Sequence, residues 1–378
     1  MKLSGKPVYC FIIICLITLL TGCSENEPIK VGFAGPLSGT LSDYGLSCRR
    51  GVVLAVEELN KAGGIKGQKI NLIIKDDKNH PAEAVKVDLE LADEGAVVII
   101  GHFTSTACMA ALPEMNKKGM LLISPGASTS KLSGKDDFFL RTIEADEEQA
   151  AGLARYAYES FGARKAALIY DTANRAYSET YIKSVERFFK ELGGRTVVEI
   201  KFDSKEGLGQ DKINLLLKSN SDVAFLVTGA LDAATFVQEL AIQNKKLPLV
   251  SSPWAMRKEF LENAGIAAEG TIFAGTLNIN NDAPRLIEFK KNFINRYGEE
   301  ADMAAARGYN AAMALKVGLE NASSLTSESI KKAILKHEII PTLNGDFSLD
   351  MYGDIHTPFR IFEVLNGHFK PLKTTESQ

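Results

Sequence analysis

Two short apolar runs, each followed by a loop rich in glycine and hydroxyl side chains, constrain the fold of this chain more than any other feature. The runs cover residues 97–100 and 120–123, and nearly all their side chains are apolar. Such runs are typical of strands that helices cover on both faces of a sheet. The segment between them ends at Gly119 and is long enough for the right-handed crossover that joins parallel neighbours. The runs therefore predict two adjacent parallel strands of an α/β sheet.

The loops that follow these strands are the predicted binding site. Parallel strands place both loops, residues 101–106 and 124–130, at the same carboxyl edge of the sheet, where open α/β sheets bind ligands. Glycine lets a ligand approach the backbone, while hydroxyl groups and free N–H groups at a helix start suit a carboxylate. We therefore expect a ligand with a small polar head group at this edge.

The first 22 residues predict an export signal. Lys2 and Lys6 precede an apolar run over residues 8–20, which is too short to span a bilayer and typical of a secretory signal. Residues 20–23 read LTGC and resemble a bacterial lipobox, where a signal peptide is cut and the new N-terminal Cys23 is lipidated. An ordinary signal peptide with an incidental cysteine is the alternative. We expect a signal peptide at 1–22, a lipidated tether at 23–28, and a protein held on the periplasmic or outer surface of a bacterial membrane.

Charge and length exclude some classes of protein. Without Lys2 and Lys6, the 44 basic and 47 acidic residues leave a net charge of about −5, which disfavours nucleic acid as a partner. The mature part, roughly 355 residues, is too long for one core and predicts two domains. Cys48 and Cys108 remain beyond the signal and lipid site, and either a disulfide or two separate buried thiols is compatible with export.

An alternation of strand and helix occurs twice along the chain. Further strands are predicted at 29–34, 69–75, 166–170, 196–202, 223–227 and 247–251. Asp146, with Gln149 three residues later, predicts a capping box at a helix start. Two similar α/β halves imply two lobes with a cleft between them. The C-terminal part departs from this plan, with helices near 283–297, 302–321 and 327–337 before an Asn366-Gly367 hairpin signal.

Five short sequence motifs follow one another along the chain in an order that is known from one protein family. They are KVGFAGPLSG at 30–39, VEELNKAGGIKG at 56–67, IGH at 100–102, ISP at 123–125 and AEG at 268–270. Together they resemble the leucine/isoleucine/valine-binding protein family of ABC-transporter solute receptors. The resemblance covers nearly the whole mature chain and implies a type I periplasmic binding protein fold. In that fold two α/β lobes, each a mostly parallel sheet flanked by helices, are joined by three crossovers and close over the ligand. It places lobe 1 at 29–143 and 278–340, and lobe 2 at 144–277 and 341–378.

The resemblance also implies a ligand site. Ser105 and the loop from Gly126 to Ser128 match the residues that grip an α-carboxylate and α-ammonium. Tyr44 and Tyr177 match the family's aromatic positions on the two sides of the cleft, although a packing role is the alternative for either tyrosine alone. The expected ligand-binding residues are Tyr44, Ser105, Thr106, Gly126, Ala127, Ser128, Tyr177, Asp232 and Trp254.

One position departs from the family. Where branched-chain receptors carry an acidic residue that pairs with the ligand's ammonium group, residues 251–255 read SSPWA. Trp254 supplies no charge but suits an apolar or cation–π wall. Asp232 opens a predicted helix near the same edge, and it either replaces the missing carboxylate or stabilises the helix dipole. We expect an amino acid ligand if Asp232 faces the cleft, and an organic or aromatic acid if it does not.

The predicted function is an extracytoplasmic solute-binding lipoprotein of an ABC transporter. It captures an amino acid or related small carboxylate by hinged closure and docks on a membrane permease. A ligand-sensing receptor component for amides or aromatic acids is the alternative.

A hydrolase that uses His102, Ser105 and Cys108 is the remaining alternative, but the sequence lacks the motifs of such enzymes, and we do not expect an enzyme. Neither a cofactor nor a metal is expected, since Asp76 and Asp77 read as a solvated strand end without further ligands at useful spacing.

Overall fold

The computed structural model describes residues 27–276, 282–343 and 345–372. The predicted signal peptide and Cys23 lie outside these ranges. No helix within them is long and apolar enough to cross a membrane. The strands are β1 Ile29–Gly35, β2 Ile70–Asp76, β3 Ile99–Ile100, β4 Leu122–Ser124, β5 Phe139–Arg141, β6 Lys165–Asp171, β7 Arg195–Phe202, β8 Val223–Val227, β9 Leu249–Ser251, β10 Ile272–Gly275, β11 Ile340–Thr342, β12 Gly345–Phe347, β13 Arg360–Leu365 and β14 His368–Pro371. The α-helices are α1 Ser42–Lys61, α2 Pro81–Asp93, α3 Ser105–Lys118, α4 Glu147–Ser160, α5 Arg175–Glu191, α6 Gln210–Lys218, α7 Ala230–Ile242, α8 Lys258–Ala264, α9 Pro284–Tyr297, α10 Met303–Asn321 and α11 Ser327–Lys336.

The first sheet has five parallel strands in the order β2-β1-β3-β4-β5. Strands β3 and β4 are adjacent and parallel, with Ile99 opposite Leu122 and Ile100 opposite Ile123. Helix α3 joins them and ends where Gly119 takes a left-handed φ of 65°, a conformation that glycine adopts without steric cost. The prediction of two neighbouring parallel strands is confirmed.

The second sheet has seven strands in the order β14-β13-β10-β9-β8-β6-β7. Its pairings are parallel except at one edge, where β13 runs antiparallel to both β10 and β14. Asn366 and Gly367 form the turn between β13 and β14 with φ values of 53° and 71°, as a type I′ hairpin turn requires. The predicted hairpin is confirmed.

Each sheet is the centre of one lobe, and the chain passes between the sheets after β5, after β10 and after β12. Lobe 1 contains the first sheet with α1–α3 and α9–α11, and lobe 2 contains the second sheet with α4–α8. The short strands β11 and β12 pack Ile340 and Phe347 against the core of lobe 1. The boundaries predicted at 143/144, 277/278 and 340/341 stay a prediction.

Helices α1 and α10 pack at very close range in lobe 1. A Cβ atom added at Gly51 would lie 1.9 Å from the carbonyl oxygen of Ala305, and one at Gly308 would lie 2.2 Å from that of Cys48. Only glycine permits such an approach. This contact fixes α10 against lobe 1, so that Met303, Ala304 and Arg307 on its first turns face the cleft between the lobes.

The predicted capping box at Asp146 is wrong. Asp146 precedes α4, but its side chain makes no capping hydrogen bond, and its backbone is already helical with φ −75° and ψ −16°. A capping side chain needs an extended backbone to reach back to the first amides of the helix. The Asp146 carboxylate instead accepts a hydrogen bond from the backbone N–H of Ser130 at 3.2 Å. Asp146 therefore ties the first crossover to the predicted binding loop.

Cys48 and Cys108 are both free and buried. They belong to separate apolar clusters of lobe 1, and burial raises the pKa of both thiols, that of Cys108 to about 11. Of the two alternatives left open by the sequence, the structure shows separate buried thiols.

Candidate functional site

A cavity lies between the two lobes at the carboxyl edge of both sheets. It holds about 690 Å³ of empty space, including its opening to solvent, which is within the range of small-molecule sites. Its walls come from loops of both lobes, from the first crossover and from the start of α10. Five of the predicted site residues line it: Tyr44, Gly126, Ser128, Tyr177 and Trp254.

Other predicted residues hold the binding loop in place from behind. Ser105 is fully buried, and its hydroxyl accepts the N–H of Thr129 at 3.3 Å. The Ser124 hydroxyl accepts the N–H of Ala127 at 2.9 Å and donates to the carbonyl of His102 at 2.7 Å. Ser105 and Ala127 therefore lie beneath the cavity wall, while Ser128 is presented to the cavity.

Thr106 joins the two lobes beside the cavity. Its backbone N–H and its hydroxyl both donate to the side-chain oxygen of Asn174 in lobe 2 at 3.2 Å, and the hydroxyl accepts the N–H of Ala176 at 3.0 Å. Asn79 of lobe 1 donates to the carbonyl of Ala173 at 3.0 Å on the same side. We call these four residues with Thr106 the threonine clasp, a set of direct polar contacts between the lobes.

Aromatic rings form two opposed walls of the cavity. Tyr44 and Phe103 of lobe 1 lie with their ring centroids 6.0 Å apart, and Tyr177 and Trp254 of lobe 2 lie 5.9 Å apart in an edge-to-face arrangement. The Tyr44 hydroxyl donates to the carbonyl of Trp254 at 3.0 Å across the cleft. Paired rings of this kind suit a flat or bulky apolar group.

Arg257 of lobe 2 lines the cavity and is neutralised by carboxylates. Its guanidinium lies 2.9 Å from Asp302 and 2.5 Å from Asp43, both in lobe 1, and 3.1 Å from Glu259 in its own lobe. It also covers the ring of Tyr44, 4.1 Å from the ring centroid. The charge of Arg257 is therefore already satisfied within the protein.

Arg307 also lines the cavity, but it makes neither a hydrogen bond nor an ion pair with any residue in the described ranges. Burial lowers the pKa of its guanidinium, although Glu144 and Asp302 act against that shift. Those two carboxylates are engaged elsewhere, Glu144 by the hydroxyl of Thr276 at 2.7 Å and Asp302 by Arg257.

Asp232 does not line the cavity. It lies in the first turn of α7, where its carboxylate accepts a hydrogen bond from the Thr228 hydroxyl at 3.5 Å. Burial and the nearby charge of Asp171 raise its pKa to about 6. Its position at the helix N-terminus agrees with the dipole interpretation that the sequence left open.

His102 is fully buried between two carboxylates of lobe 1. Its Nδ1 lies 2.6 Å from Asp77 and its Nε2 lies 3.1 Å from Asp88, and these negative charges raise the pKa of the imidazole well above its usual value despite the opposing effect of burial. The expectation of a solvated strand end is wrong for Asp77, which is 0% exposed, because it follows β2 directly and turns inward to pair with His102. Both ring nitrogens of His102 face carboxylates. The Cys108 thiol donates to the backbone carbonyl of His102 at 3.3 Å and not to its ring. No group of metal-ligating residues is found in the described part of the chain.

Comparison with known proteins identifies the family to which this chain belongs. A family model described as periplasmic binding protein matches residues 28–368. The chain belongs to the periplasmic binding protein family. The resemblance to the leucine/isoleucine/valine-binding proteins is confirmed. A Leu/Ile/Val-binding protein homolog of Brucella suis is 28% identical over 341 residues, covering 89% of this chain and 90% of the relative.

Solved structures of the family share the fold of this binding protein. The branched-chain amino acid transporter substrate binding protein LivJ from Streptococcus pneumoniae, in complex with isoleucine, is 25% identical with a TM-score of 0.80, covering 91% of this chain and 98% of that one. An ABC transporter solute binding protein from R. palustris in complex with benzoate is 22% identical with a TM-score of 0.81, covering 91% and 95%. The predicted type I fold is confirmed.

Sequence reasoning missed both arginines of this periplasmic binding protein's cavity. Arg257 follows the aromatic segment 251–255 by two positions, and Arg307 lies in a predicted helix more than 170 residues after the binding loop. One signal was available for Arg307: it is the single charged residue in the small-residue run 303–308, MAAARG. A charge inside such a closely packed segment indicates a specific neighbour or ligand.

Proposed function

We propose that this protein is the solute receptor of an ABC importer and captures a small carboxylate-bearing solute by closing its two lobes. The observation that carries the proposal is the cavity itself, which is walled by both lobes and accompanied by direct contacts between them. These contacts are the threonine clasp and the contacts of Arg257 and Tyr44 across the cleft. Contacts of this kind are available only when the lobes are together, as in hinge closure around a ligand.

Capture proceeds in two steps in this proposal. In the open form, Ser128 and Gly126 on lobe 1 receive the polar head group of the solute. Tyr177 and Trp254 on lobe 2 then complete the cage as the three crossovers bend. Because a ligand shifts a conformational equilibrium only by its differential affinity for the two forms, contacts to both lobes supply the free energy of closure.

The relatives support a solute of the size of an amino acid. The pneumococcal protein holds isoleucine and the R. palustris protein holds benzoate, and both ligands combine a carboxylate with a compact apolar body. An amino acid or a related small carboxylate is therefore the proposed solute class.

The permease partner and the membrane anchor are further parts of the proposal. The closed form docks on a membrane permease, and the motif at residues 20–23 supports lipidation of Cys23 after removal of residues 1–22. Metabolic labelling with a radioactive fatty acid tests the anchor: the wild-type chain should be labelled and the Cys23→Ala variant should not. Label retained by the variant would contradict lipidation at this position.

A thermal-shift screen of the protein begun at Ser24 tests the receptor function. The protein is unfolded and refolded beforehand to remove carried-over solute, and the panel contains amino acids, their amides and organic acids. A solute at a hundred times its Kd should stabilise the native state by roughly 2.7 kcal/mol. Small-angle scattering on the same samples should show a smaller radius of gyration with the solute. A panel without any stabilising solute would contradict the proposal.

A further inference from the structure

The guanidinium of Arg307 presents a positive charge to the cavity. Within the described ranges it has no hydrogen-bond or ion-pair partner, whereas Arg257, the other cavity arginine, is held by three carboxylates. Arg307 is half-buried, and a solute that fills the cavity would displace water from its guanidinium. Displacing that water is costly without a counter-ion, and an anionic solute would offset the cost. The guanidinium also suits two-pronged pairing with a carboxylate.

No carboxylate of the described residues lines the cavity beside Arg307. Among the described residues that line it there is neither an aspartate nor a glutamate. Asp302 and Asp43 are committed to Arg257, and Asp232 on α7 does not line the cavity. Glu144 lies beside an adjoining cavity that Arg307 also lines, and its carboxylate accepts the Thr276 hydroxyl at 2.7 Å. An ammonium group of a bound solute would therefore be desolvated beside Arg307 without a carboxylate to pair with.

Four aromatic residues in the cavity wall suit an apolar body. The pair Tyr44 and Phe103 faces it from lobe 1, and the pair Tyr177 and Trp254 faces it from lobe 2. Ser128 is the hydroxyl that the binding loop presents beside these rings.

From this polarity we infer that the solute is an aromatic organic acid without an ammonium group, and that Arg307 is the residue that selects it by pairing with its carboxylate. The inference rests on the proposed receptor function and narrows its solute class. Ser128 supplies a second hydrogen bond, and the four aromatic residues enclose the ring of the acid.

Matched pairs of ligands test this inference on the wild-type protein without any mutation. Each pair has the same carboxylate and the same body, with or without the ammonium group: 3-phenylpropionate against phenylalanine, and 4-methylpentanoate against leucine. Calorimetry should show that the acid without the amine binds at least tenfold more tightly in each pair, and that the aromatic acid is the tighter of the two acids. Tighter binding of the amino acid in both pairs would overturn the inference and leave the receptor function standing.

Substitution of Arg307 separates charge recognition from a merely structural role. The probes are benzoate and its neutral isostere benzamide, and the variants are Arg307→Gln, Arg307→Lys and, as a matched control, Arg296→Gln. Arg296 is half-exposed on α9 and pairs with Glu57, away from the cavity. Wild type and control should prefer benzoate over benzamide, Arg307→Lys should keep part of that preference, and Arg307→Gln should lose about ten- to a hundredfold in benzoate affinity while benzamide binding changes little.

Two outcomes of the variant experiment would overturn the inference. If Arg307→Gln binds benzoate as tightly as wild type does, Arg307 is not the carboxylate partner, even though the receptor function stands. If the wild-type protein binds none of the acids and none of the amino acids, both the inference and the receptor function fail. Melting temperatures of all variants without solute verify that each one is folded.

Discussion

The guanidinium of Arg257 lies 2.9 Å from the carboxylate of Asp302 and connects lobe 2 to lobe 1 at the edge of the cavity. Asp302 is also the N-cap of α10, accepting the N–H of Ala305 at 2.9 Å. The ion pair therefore links the cleft-facing loop of lobe 2 to the helix that carries Arg307. Because the Arg257 side chain is 8% exposed, this contact is shielded from solvent and is stronger than an ordinary surface pair.

Replacing Arg257 with glutamine should weaken solute binding by favouring the open form. The variant loses its ion pairs to Asp43 and Asp302 across the cleft, and we expect a Kd at least tenfold higher, since even one hydrogen bond to a charged group contributes about 1.5–3 kcal/mol. Calorimetry gives the affinity, and scattering gives the fraction of closed protein. Arg285→Gln is the control, since Arg285 forms an exposed ion pair with Asp346 within one lobe. Equal affinities for Arg257→Gln and wild type would show that the ion pairs do not hold the lobes together.

Substitution of Ser128 with valine should weaken solute binding at least tenfold and leave the fold intact. Valine is larger than serine and lacks the hydroxyl, so the variant removes a hydrogen bond to a charged head group, worth roughly 1.5–3 kcal/mol. Ser130→Val is a suitable control because Ser130 is in the same segment but does not line the cavity. An unchanged Kd in calorimetry would remove Ser128 from the site.

Truncation of Tyr177 to alanine should likewise raise the Kd at least tenfold, because it removes one ring of the lobe 2 wall. Tyr177 also packs against Tyr181, with centroids 5.5 Å apart, so the variant needs a melting curve beside the calorimetry. Tyr181→Phe is the control: the Tyr181 hydroxyl is buried without a hydrogen-bond partner and does not line the cavity. A Tyr177→Ala variant that melts normally and binds normally would assign Tyr177 to packing alone.

The sequence predicted the fold well because its signals are local. The strand at Val223–Val227 was predicted to the residue, and the turn at Asn366-Gly367 specified a hairpin through backbone preferences of two adjacent residues. The binding loops were also accessible, since parallel strands must bring residues 101–106 and 124–130 to one edge.

The sequence did not predict which charged side chains face the cavity. Asp232 was correctly placed at a helix start near the cleft edge, but whether its side chain faces the cavity depends on the rotation of α7 within lobe 2. Arg307 enters the cavity because Gly51 and Gly308 let α1 and α10 pack at close range. Both facts depend on tertiary packing between segments far apart in sequence, which hydrophobic periodicity does not encode.

Replacement of His102 with asparagine should destabilise lobe 1 and change how its stability depends on pH. The neighbouring carboxylates raise the pKa of His102 in the folded state, so its contribution is fully present below the unfolded pKa of about 6.5 and is lost as pH rises through the higher folded value. Removing the imidazole leaves Asp77 and Asp88 buried without a counter-ion, and we expect a loss of about 3–5 kcal/mol at neutral pH. His356→Asn, whose imidazole is 70% exposed beside Asp350, is the matched control. Urea unfolding of both variants between pH 6 and pH 10 measures the effect, and a wild-type stability that does not fall toward alkaline pH would contradict it.

Replacement of Asp146 with asparagine should stabilise the protein, in contrast to replacement of His102. Burial raises its pKa to about 7, so the folded state holds a proton that the unfolded chain releases near pH 4, and stability falls as pH rises between those values. Asparagine retains the oxygen that accepts the Ser130 N–H and removes the buried charge, one oxygen of which has no hydrogen-bond partner in the described structure. The Asp146→Asn variant should therefore gain stability relative to wild type by about 2–4 kcal/mol between pH 4 and pH 8. Asp93→Asn, at a carboxylate that is 75% exposed, should show no such gain, and parallel curves for Asp146→Asn and wild type would mean that Asp146 is charged in the folded protein already at pH 4.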